Sequence, residues 1–465
     1  MTGQDEGLEV AEILVRASDP EQFDAWRHRA RATGWCAHPV RLVGITNRID
    51  SSTGEVVGVF RSDELPDRVL LKACGHRRAT ICPTCSATYQ ADAYQLVAAG
   101  LRGGKGIPET IGEHPMLFLT LTAPSFGAVH AIRQHHGREV RCQIARGRCP
   151  HGLLRRCDST HRPDDQRLGQ PICQACFDYR GAVIWNASVG ELWRRSTIAV
   201  QRQLATRVGL SREQLRESVR ISYAKVVEYQ RRGLVHVHTL VRLDDAADPG
   251  ETPDGRFDLT LLTDAVTAAI PGVRCPSPDI SVLPGPIRWG AQLDIHPISP
   301  DGAVPKSVAG YLAKYATKST DPAGVLDHRL RAGDLDRLDQ KLSPHMARMV
   351  RTAWELGALP QLEHLRLRAW AHTLGFRGHW LTKSRRYSTT FASLRAARQQ
   401  WHLDHGPVEH SPTDITMGQW SYSGRGWASE GDAWLARTAA EDSRTARRVA
   451  RWELAGPGAS PDGRV

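Results

Sequence analysis

Hydrophobic residues recur along this chain in short runs that predict a mixture of strands and helices. Apolar and β-branched residues dominate the segment Leu234–Leu243, and the preceding segment Val219–Gln230 is similar. Such runs, bounded by turn residues, are typical of β-strands. Two further runs of this kind, Met116–Ser125 and Ile287–Ile298, predict two more strands. Helices are predicted within residues 1–35, over 181–217, 259–270 and 304–320, and in most of 340–400.

The order of these elements predicts an α+β fold rather than a doubly wound one. The segments 219–230 and 234–243 follow each other closely enough to form an antiparallel hairpin, and adjacent antiparallel strands separate this class from parallel sheets. Residues 140–180 are rich in Arg, Cys, Asp and Gly and predict an irregular insertion. The tail 456–465 has the composition of a disordered terminus.

The second strand of the hairpin carries a candidate metal site. His236 and His238 occupy alternate positions, so their side chains share one face and lie about 6–7 Å apart along the strand. Imidazole is a common metal ligand. The alternative is a pair of surface or hydrogen-bonded histidines.

The length of the hairpin loop decides whether a carboxylate joins these histidines. If Arg231–Gly233 forms a three-residue loop, with its glycine at the position that needs a positive φ, Glu228 falls opposite His236 on the same face. A two-residue loop sends Glu228 to the other face. Two imidazoles and a carboxylate suit Mn²⁺ or Mg²⁺ and leave positions open for substrate. The alternative for Glu228 is an ion pair with the loop, and Asp244 and Asp294 are weaker candidate ligands.

The predicted helix at residues 304–320 carries two tyrosines on one face. Tyr311 and Tyr315 are spaced i, i+4, and Lys314 and Lys318 fall on the same stripe. A surface helix with two amphipathic tyrosines is the alternative. A tyrosine can act as a nucleophile where cations lower its pKa and a metal polarises the electrophile. The opposite side of the helix is apolar and consists of Ala309, Leu312, Ala313 and Ala316.

The composition of the chain favours a nucleic-acid partner. The chain has 465 residues, 41% of them hydrophobic, and a formal net charge of +11. Such an excess of Lys and Arg favours a polyanionic partner. Arg-rich usage also fits a GC-rich genome. The alternative is a basic enzyme that acts on small molecules. The sequence contains no run of about 18 apolar residues, so no membrane span is predicted. The segment MTGQDEGLEV lacks the features of a signal peptide, so we expect a cytoplasmic protein whose ten cysteines are not disulfide-bonded.

The cysteines predict two structural zinc sites. The segment CGHRRATICPTC supplies Cys74, Cys82 and Cys85, and its Cys-x2-Cys spacing is typical of zinc knuckles. Cys36 is the preferred fourth ligand, with His76 as the alternative.

The second predicted zinc set lies in the insertion and also ends on a Cys-x2-Cys pair. His151 and His161 are rivals for one of its positions. Buried free thiols are the alternative for both sets, and a redox pair lacks a strand–helix context. No role is assigned to Cys142 or Cys275. The members of this second set are Cys149, Cys157, Cys173 and Cys176.

Three of these segments, in their order along the chain, resemble the motifs of HUH endonucleases. They are FLTLTAPS (Phe118–Ser125), HVH (His236–His238) and YLAKYATK (Tyr311–Lys318). The paired tyrosines resemble those of rolling-circle initiators that carry two. Further segments, including EYQRRGLVHVHTLVRLD and LGFRGHWLTKSRRYSTT, resemble the RepSA-type replication initiators of actinobacterial plasmids and integrative elements. Together these segments are spread over residues 36 to 400.

The resemblance implies an antiparallel sheet of about five strands, with the metal on its face and the tyrosine helix beside it. It implies site- and strand-specific nicking of origin DNA, a 5′-phosphotyrosine link and a 3′-OH primer. LRGGKG (Leu101–Gly106) does not match a phosphate-binding loop, so we expect a host helicase to unwind the DNA. The alternatives are a relaxase or transposase of the same nuclease class, and a non-catalytic zinc-bearing DNA-binding regulator.

The predicted domain organisation follows from the motifs and the cysteines. The Arg-rich segment Arg377–Arg398 is a candidate for phosphate contacts, with a solvated helix face as the alternative. The predicted domains are an N-terminal zinc-binding module (1–112), an HUH endonuclease domain (113–330) with a zinc-binding insertion at about 140–180, a C-terminal helical basic region (331–400) and a helical or disordered tail (401–465).

Overall fold

The structure is a computed structural model of the chain. It describes residues 3–279, 281–298, 304–318, 326, 328–405 and 414–455. Two compact units are present: a terminal unit, Met1–Ala91 with Ala392–Val465, and a central unit, Asp92–Phe391. Every helix among the described residues is too short or too polar to cross a lipid bilayer.

The elements are numbered in chain order. The helices are α1 (Gly3–Ala17), α2 (Pro20–Ala32), α3 (Pro83–Arg102), α4 (Tyr179–Val208), α5 (Arg212–Ser218), α6 (Leu259–Ala269), α7 (Val304–Lys318), α8 (Leu338–Lys341), α9 (Pro344–Leu356), α10 (Phe391–Asp404) and α11 (Glu430–Ala455). The strands are β1 (Val40–Asp50), β2 (Val56–Arg61), β3 (Leu70–Lys72), β4 (Met116–Leu121), β5 (Arg133–His135), β6 (Arg138–Val140), β7 (Gln143–Arg148), β8 (Leu154–Cys157), β9 (Val219–Tyr229), β10 (Val235–Asp245), β11 (Arg274–Cys275), β12 (Ile287–Arg288), β13 (Leu293–Pro297), β14 (Leu381–Lys383) and β15 (Asp414–Arg425).

The central unit is built on a five-stranded sheet in the order β13-β4-β10-β9-β14. All four neighbouring pairs are antiparallel. The predicted α+β class and the predicted antiparallel sheet of about five strands are therefore confirmed. Both two-stranded pairs lie between β4 and α4: β7–β8 falls within the predicted insertion at about 140–180, and β5–β6 directly precedes it.

One face of the sheet forms the core of the central unit. Val237 and Val241, at alternate positions of β10, are buried in the main apolar cluster together with residues of α4. On the same face, the ring of Trp193 in α4 lies 5.0 Å from the ring of Tyr223 in β9. Because side chains alternate along a strand, the two histidines of β10 are directed to the opposite face.

Two strands depart from the sequence-based expectation. The segment predicted as one strand, Ile287–Ile298, forms the short strands β12 and β13 instead. At the interruption, a Cβ on Gly290 would lie 2.7 Å from the carbonyl oxygen of Ala123, and Gly290 N–H donates to Thr122 O at 2.8 Å. This close backbone approach ends the first strand. Strand β14 lies in a region predicted as helical, and it forms the edge of the sheet beside β9.

The terminal unit joins the two ends of the chain. Strand β1 pairs antiparallel with β2, β3 and β15, and Arg16 of α1 forms an ion pair at 2.8 Å with the buried Asp432 of α11. The predicted boundaries at residues 112, 330 and 400 differ from this division. Strand β15 completes the sheet of the terminal unit, and β14 adds residues 381–383 to the sheet of the central unit.

Candidate metal and tyrosine site

The β9–β10 hairpin has the register that the sequence predicts. Glu228 pairs with His236 across the two strands. Gln230 N–H donates to Leu234 O, and Gly233 N–H donates to Gln230 O, which closes a loop of three residues, 231–233. Gly233 has φ +76°, the left-handed conformation that glycine adopts without strain. The prediction that Glu228 shares a face with both histidines is confirmed.

Glu228, His236 and His238 form one cluster. A ligand atom of each lies within 4.8 Å of the others. Glu228 Oε1 is 3.2 Å from His238 Nε2, and Thr120 Oγ1 in β4 is 3.2 Å from His238 Nδ1. When Nδ1 donates its proton to Thr120, Nε2 presents a lone pair to the carboxylate, and a cation between the two satisfies both. The donor set therefore fits a divalent metal.

The surroundings favour the metal-binding protonation state of His236. Burial lowers the pKa of His236 to about 3, with smaller contributions from the nearby His238 and Arg232. The ring is therefore neutral near pH 7 and keeps a lone pair for a metal. Gln230 Nε2 lies 3.4 Å from His236 Nδ1, and Gln230 Oε1 accepts a hydrogen bond from Arg232 Nε at 2.8 Å.

The hairpin loop is held by residues that sequence reasoning missed. Asn186 in α4 is fully buried, donates from Nδ2 to Gly233 O at 2.9 Å, and accepts the Val235 N–H at 3.1 Å. His345 in α9 is also fully buried, and its Nε2 lies 3.1 Å from Arg232 O. These contacts fix the loop that sets the register. A polar residue in an apolar helix, such as Asn186, was the available signal.

Helix α7 places both tyrosines beside the metal cluster. The ring centroid of His238 lies 5.2 Å from that of Tyr311 and 5.3 Å from that of Tyr315. The two tyrosine rings are 4.4 Å apart. Phe118 of β4 stacks on His238 and meets Tyr311 edge-on at 5.8 Å. Burial, followed by a hydrogen bond with Tyr315, raises the pKa of Tyr311.

The apolar face of α7 agrees with the predicted pattern, and the predicted role of the two lysines is not tested by the structure. Lys314 is exposed, and no hydrogen bond joins it to either tyrosine among the described residues. The side chain of Lys318 lies outside the described part of the chain. Their cationic role therefore stays a prediction. The face predicted to be apolar is buried at Ala309, Leu312, Ala313 and Ala316.

Asp244 and Asp294, the weaker candidate ligands, are not members of the cluster. Asp244 is fully buried at the far end of β10, where its carboxylate accepts from Arg242 Nη2 at 2.9 Å and lies 2.9 Å from His114 Nδ1. Asp294 is on β13 and accepts from Gln292 Nε2 at 3.2 Å. The carboxylate of Asp244 therefore neutralises the charge of the buried Arg242 guanidinium rather than binding a metal.

The four cysteines of the terminal unit come together as predicted. Cys36 Sγ lies 3.7 Å from Cys82 Sγ and 3.6 Å from Cys85 Sγ, and Cys74 Sγ lies 3.7 Å from Cys85 Sγ. Zinc–sulfur bonds of about 2.3 Å in a tetrahedron give sulfur–sulfur edges of about 3.8 Å. The spacing therefore fits zinc. His76, the alternative fourth ligand, instead accepts a backbone N–H at Nδ1.

The insertion groups its ligands differently from the prediction. Cys149, Cys173 and Cys176 cluster with His151, whose Nδ1 lies 3.2 Å from Cys176 Sγ. Cys157, predicted as a member of this set, lies elsewhere. It joins a third group together with His161, the rival of His151 in the prediction, and with His130 and Cys142, which were assigned to no site. Spacing along the chain did not show which of the two ligand groups Cys157 joins.

Comparisons with known proteins give the family to which this chain belongs. Residues 22–441 match the RepSA family, described as "Replication initiator protein, pSAM2". The chain belongs to the RepSA family of replication initiators. It is similar to a replication initiator protein of Streptomyces ambofaciens, with 39% identity over 455 residues, which are 94% of each chain. No solved structure matches.

The matched range includes every candidate site residue. It begins before Cys36, the first cysteine of the terminal cluster, and ends well after Lys318. Parts of both segments of the terminal unit, 22–91 and 392–441, and the whole central unit therefore lie within the RepSA match. Membership of the family supports a role in replication initiation.

Proposed function

We propose that this chain is a rolling-circle replication initiator that nicks origin DNA through a metal-assisted tyrosine transesterification, with an HUH-type nuclease core. The observation that carries the proposal is the position of Tyr311 and Tyr315, whose rings lie 5.2 Å and 5.3 Å from the ring of His238. Membership of the RepSA family supports an origin as the DNA that is cut. A relaxase or transposase would cut other DNA.

Glu228, His236 and His238 would hold Mg²⁺ or Mn²⁺. Two nitrogens and one carboxylate leave coordination positions open for substrate oxygens. When bound, the ion polarises a phosphoryl oxygen and offsets the charge that develops in the transition state. Phe118 and Thr120 of β4 orient His238 by stacking and by a contact at 3.2 Å to Nδ1.

The tyrosine hydroxyl is the nucleophile. Its oxygen attacks phosphorus, and the bond between phosphorus and the 3′ oxygen breaks in line. The phenolic proton is lost to solvent, and the leaving 3′ oxygen takes up a proton to become the 3′-OH primer. The 5′ end stays linked to the protein as a phosphotyrosine. With two tyrosines on one face of α7, Tyr315 makes the first cut, assisted by Lys314 and Lys318, and Tyr311 makes the cut that ends a round.

The partners follow from this chemistry. The substrate is origin DNA, bound as a duplex and cut as a single strand, and the net charge of +11 suits a polyanion. The sequence contains no GxxxxGK[ST] motif, so strand separation requires a host helicase and the host replication machinery. The Cys36 and Cys149 clusters hold structural zinc, which stabilises the fold and takes no part in cleavage.

The test uses a single-stranded oligonucleotide of the chain's own origin with Mn²⁺ or Mg²⁺. We expect a covalent protein–DNA adduct on a denaturing gel, with the DNA mapped to a peptide that contains Tyr311 and Tyr315. The double variant Tyr311→Phe/Tyr315→Phe should form no adduct, whereas Tyr223→Phe, on the opposite face of β9, should react normally. An adduct in the double variant would refute the assignment of the nucleophile.

A second set of variants separates cutting from binding. His236→Ala and His238→Ala should each abolish nicking and retain DNA binding in fluorescence anisotropy, because phosphate contacts elsewhere supply most of the non-specific affinity. His379→Ala changes an exposed histidine and is the control. This variant should nick the DNA and bind it like the wild type. Wild-type protein that binds the origin and never nicks it would instead be a non-catalytic regulator.

A further inference from the structure

The third Cys/His group has the geometry of a metal site. His130 Nδ1 lies 3.1 Å from His161 Nε2 and 3.9 Å from Cys142 Sγ. Cys157 Sγ is 3.4 Å from His161 Nε2. Each residue directs one ligand atom to a common point, with these atoms within 4.8 Å of one another. Cys142 is 0%, His161 2% and Cys157 9% exposed, and His130 is partly exposed, so three of the four candidate ligands are buried.

A carboxylate outside the group sets the tautomer of His161. Asp165 Oδ2 lies 2.6 Å from His161 Nδ1, and Arg167 forms an ion pair with the same carboxylate at 2.8 Å. Because Asp165 accepts the Nδ1 proton, the Nε2 lone pair faces His130 and Cys157. A carboxylate hydrogen-bonded to the far nitrogen of a ligating histidine is the arrangement that zinc sites use to orient imidazole.

The ligands of the two insertion sites alternate in pairs along the chain. His130 and Cys142 belong to the third group, and the next pair, Cys149 and His151, belongs to the other. The following pair, Cys157 and His161, returns to the third group, and the last pair closes the other at Cys173 and Cys176. We propose that the third group binds a structural zinc ion and that the insertion is a cross-braced module with two zinc ions.

The segment 127–177, which holds both ligand groups and most of the predicted insertion, needs such a device because it buries little apolar surface of its own. Among the described side chains of residues 127–177, cysteines aside, the buried apolar ones are Leu168, Pro171 and Phe177. Strands β5 and β6 are exposed along their whole length. A segment without a core is held together by metal, and the free energy of metal binding is then free energy of folding.

The third site also lies next to the catalytic hairpin. Arg231 Nη2 donates to Pro163 O at 2.8 Å, two residues after His161. Gly169, with φ +84°, approaches the hairpin so closely that a Cβ would lie 2.4 Å from the carbonyl of Arg231. The loop that follows the zinc ligand His161 therefore supports the turn between Glu228 and His236.

The test is the zinc content of the purified full chain, measured as metal per protein. We expect three zinc ions, and Cys142→Ala should lose at least one. Cys275→Ala is the matched control, because Cys275 is a buried cysteine outside every group, and it should keep three. Zinc content unchanged by Cys142→Ala would overturn the proposal. If that variant is insoluble, the wild-type count decides, and two or fewer zinc ions per chain would contradict it.

A pair of aspartate variants tests the site without removing a ligand. Asp165→Asn should make one zinc ion removable at a chelator concentration about 10–100-fold lower, the range expected for loss of an outer-shell partner. Asp164→Asn, at an adjacent side chain that is 85% exposed, should leave the release curve unchanged. Identical curves for the two variants would contradict the role of Asp165. Neither measurement involves DNA, so this inference can fail or stand independently of the nicking proposal.

Discussion

The carboxylate of Glu228 lies 3.2 Å from Nε2 of His238, although the backbone partner of Glu228 across the hairpin is His236. The side chain therefore reaches diagonally between strands, a distance that long side chains can span. The ligand set is thereby drawn from both strands, with Glu228 on β9 and both histidines on β10. The arrangement depends on the loop of three residues, because a shift of one residue would turn Glu228 to the core face.

The first prediction concerns Glu228 as a metal ligand. Glu228→Ala should raise the Mn²⁺ concentration needed for half-maximal nicking by at least about 10-fold, a loss that even outer-shell changes produce at metal sites. Titration calorimetry should show the same weakening of Mn²⁺ binding without DNA. Asp294→Ala removes a carboxylate from the same sheet face but outside the cluster, and it should leave both values unchanged. Equal effects of the two variants would show that Glu228 attracts the cation only by its negative charge and is not a ligand.

The second prediction concerns pH and the buried His345. Burial lowers the pKa of His345 to about 4, below the ordinary histidine value of about 6.5. Between these pH values the unfolded chain binds a proton that the folded chain does not, so the free energy of unfolding falls as the pH falls. This stability is fully present above about pH 6.5, and each pH unit below costs about 1.4 kcal/mol from this group.

The variant His345→Gln isolates that contribution, because glutamine can donate to Arg232 O and does not titrate. Urea unfolding of wild type and variant between pH 7 and pH 4 should show the steeper loss in wild type, by about 1.4 kcal/mol per pH unit. Parallel pH profiles would mean that His345 is protonated in the folded state as readily as in the unfolded chain.

The third prediction concerns the cysteine cluster of the terminal unit. Cys82→Ser should remove one zinc ion and expose the terminal unit to limited proteolysis, because metal binding at such sites contributes directly to folding. Cys275→Ser, which changes a buried thiol outside the clusters, should keep its zinc and resist the protease. Zinc-free protein that is soluble, protease-resistant and active would contradict a structural role for this metal.

Local patterns in the sequence predict the parts of the site that local geometry determines. The period of two along β10 predicts that His236 and His238 share a face, and Gly233 predicts the loop that sets the register of Glu228. The i, i+4 spacing predicts that Tyr311 and Tyr315 are neighbours on α7. Each relationship joins residues of one helix or one hairpin. The periodicity of that element and the length of its turn are therefore sufficient to predict it.

Long-range pairings were not predictable in this way. Strand β14 has three residues, and its conformation comes from pairing with β9 rather than from a pattern of its own. Strand β15 pairs with β1 from the other end of the chain. The sorting of Cys157 away from Cys149 depends on which ligand pairs the folded chain brings together. Tertiary contacts decide all three, and spacing along the sequence carries no direct signal for them.

The last prediction concerns which tyrosine attacks first. Tyr311 and Tyr315 lie at nearly equal ring distances from His238, 5.2 Å and 5.3 Å, so proximity to the cluster does not separate them. Their neighbours along the helix do, because Lys314 is adjacent to Tyr315 and Lys318 follows it by three residues. Cations beside a phenolate stabilise it, and we therefore expect Tyr315 to make the first cut.

Single-tyrosine variants test this order with a single-stranded origin oligonucleotide and a denaturing gel. Tyr315→Phe should form no covalent adduct. Tyr311→Phe should form the adduct at the wild-type rate and fail in an assay that requires several rounds of replication, because the cut that ends a round is lost. Lys314→Ala should slow adduct formation in the Tyr311→Phe background, where Tyr315 is the remaining nucleophile. A normal adduct in Tyr315→Phe together with none in Tyr311→Phe would reverse the assignment, since the lysines would then not select the attacking tyrosine.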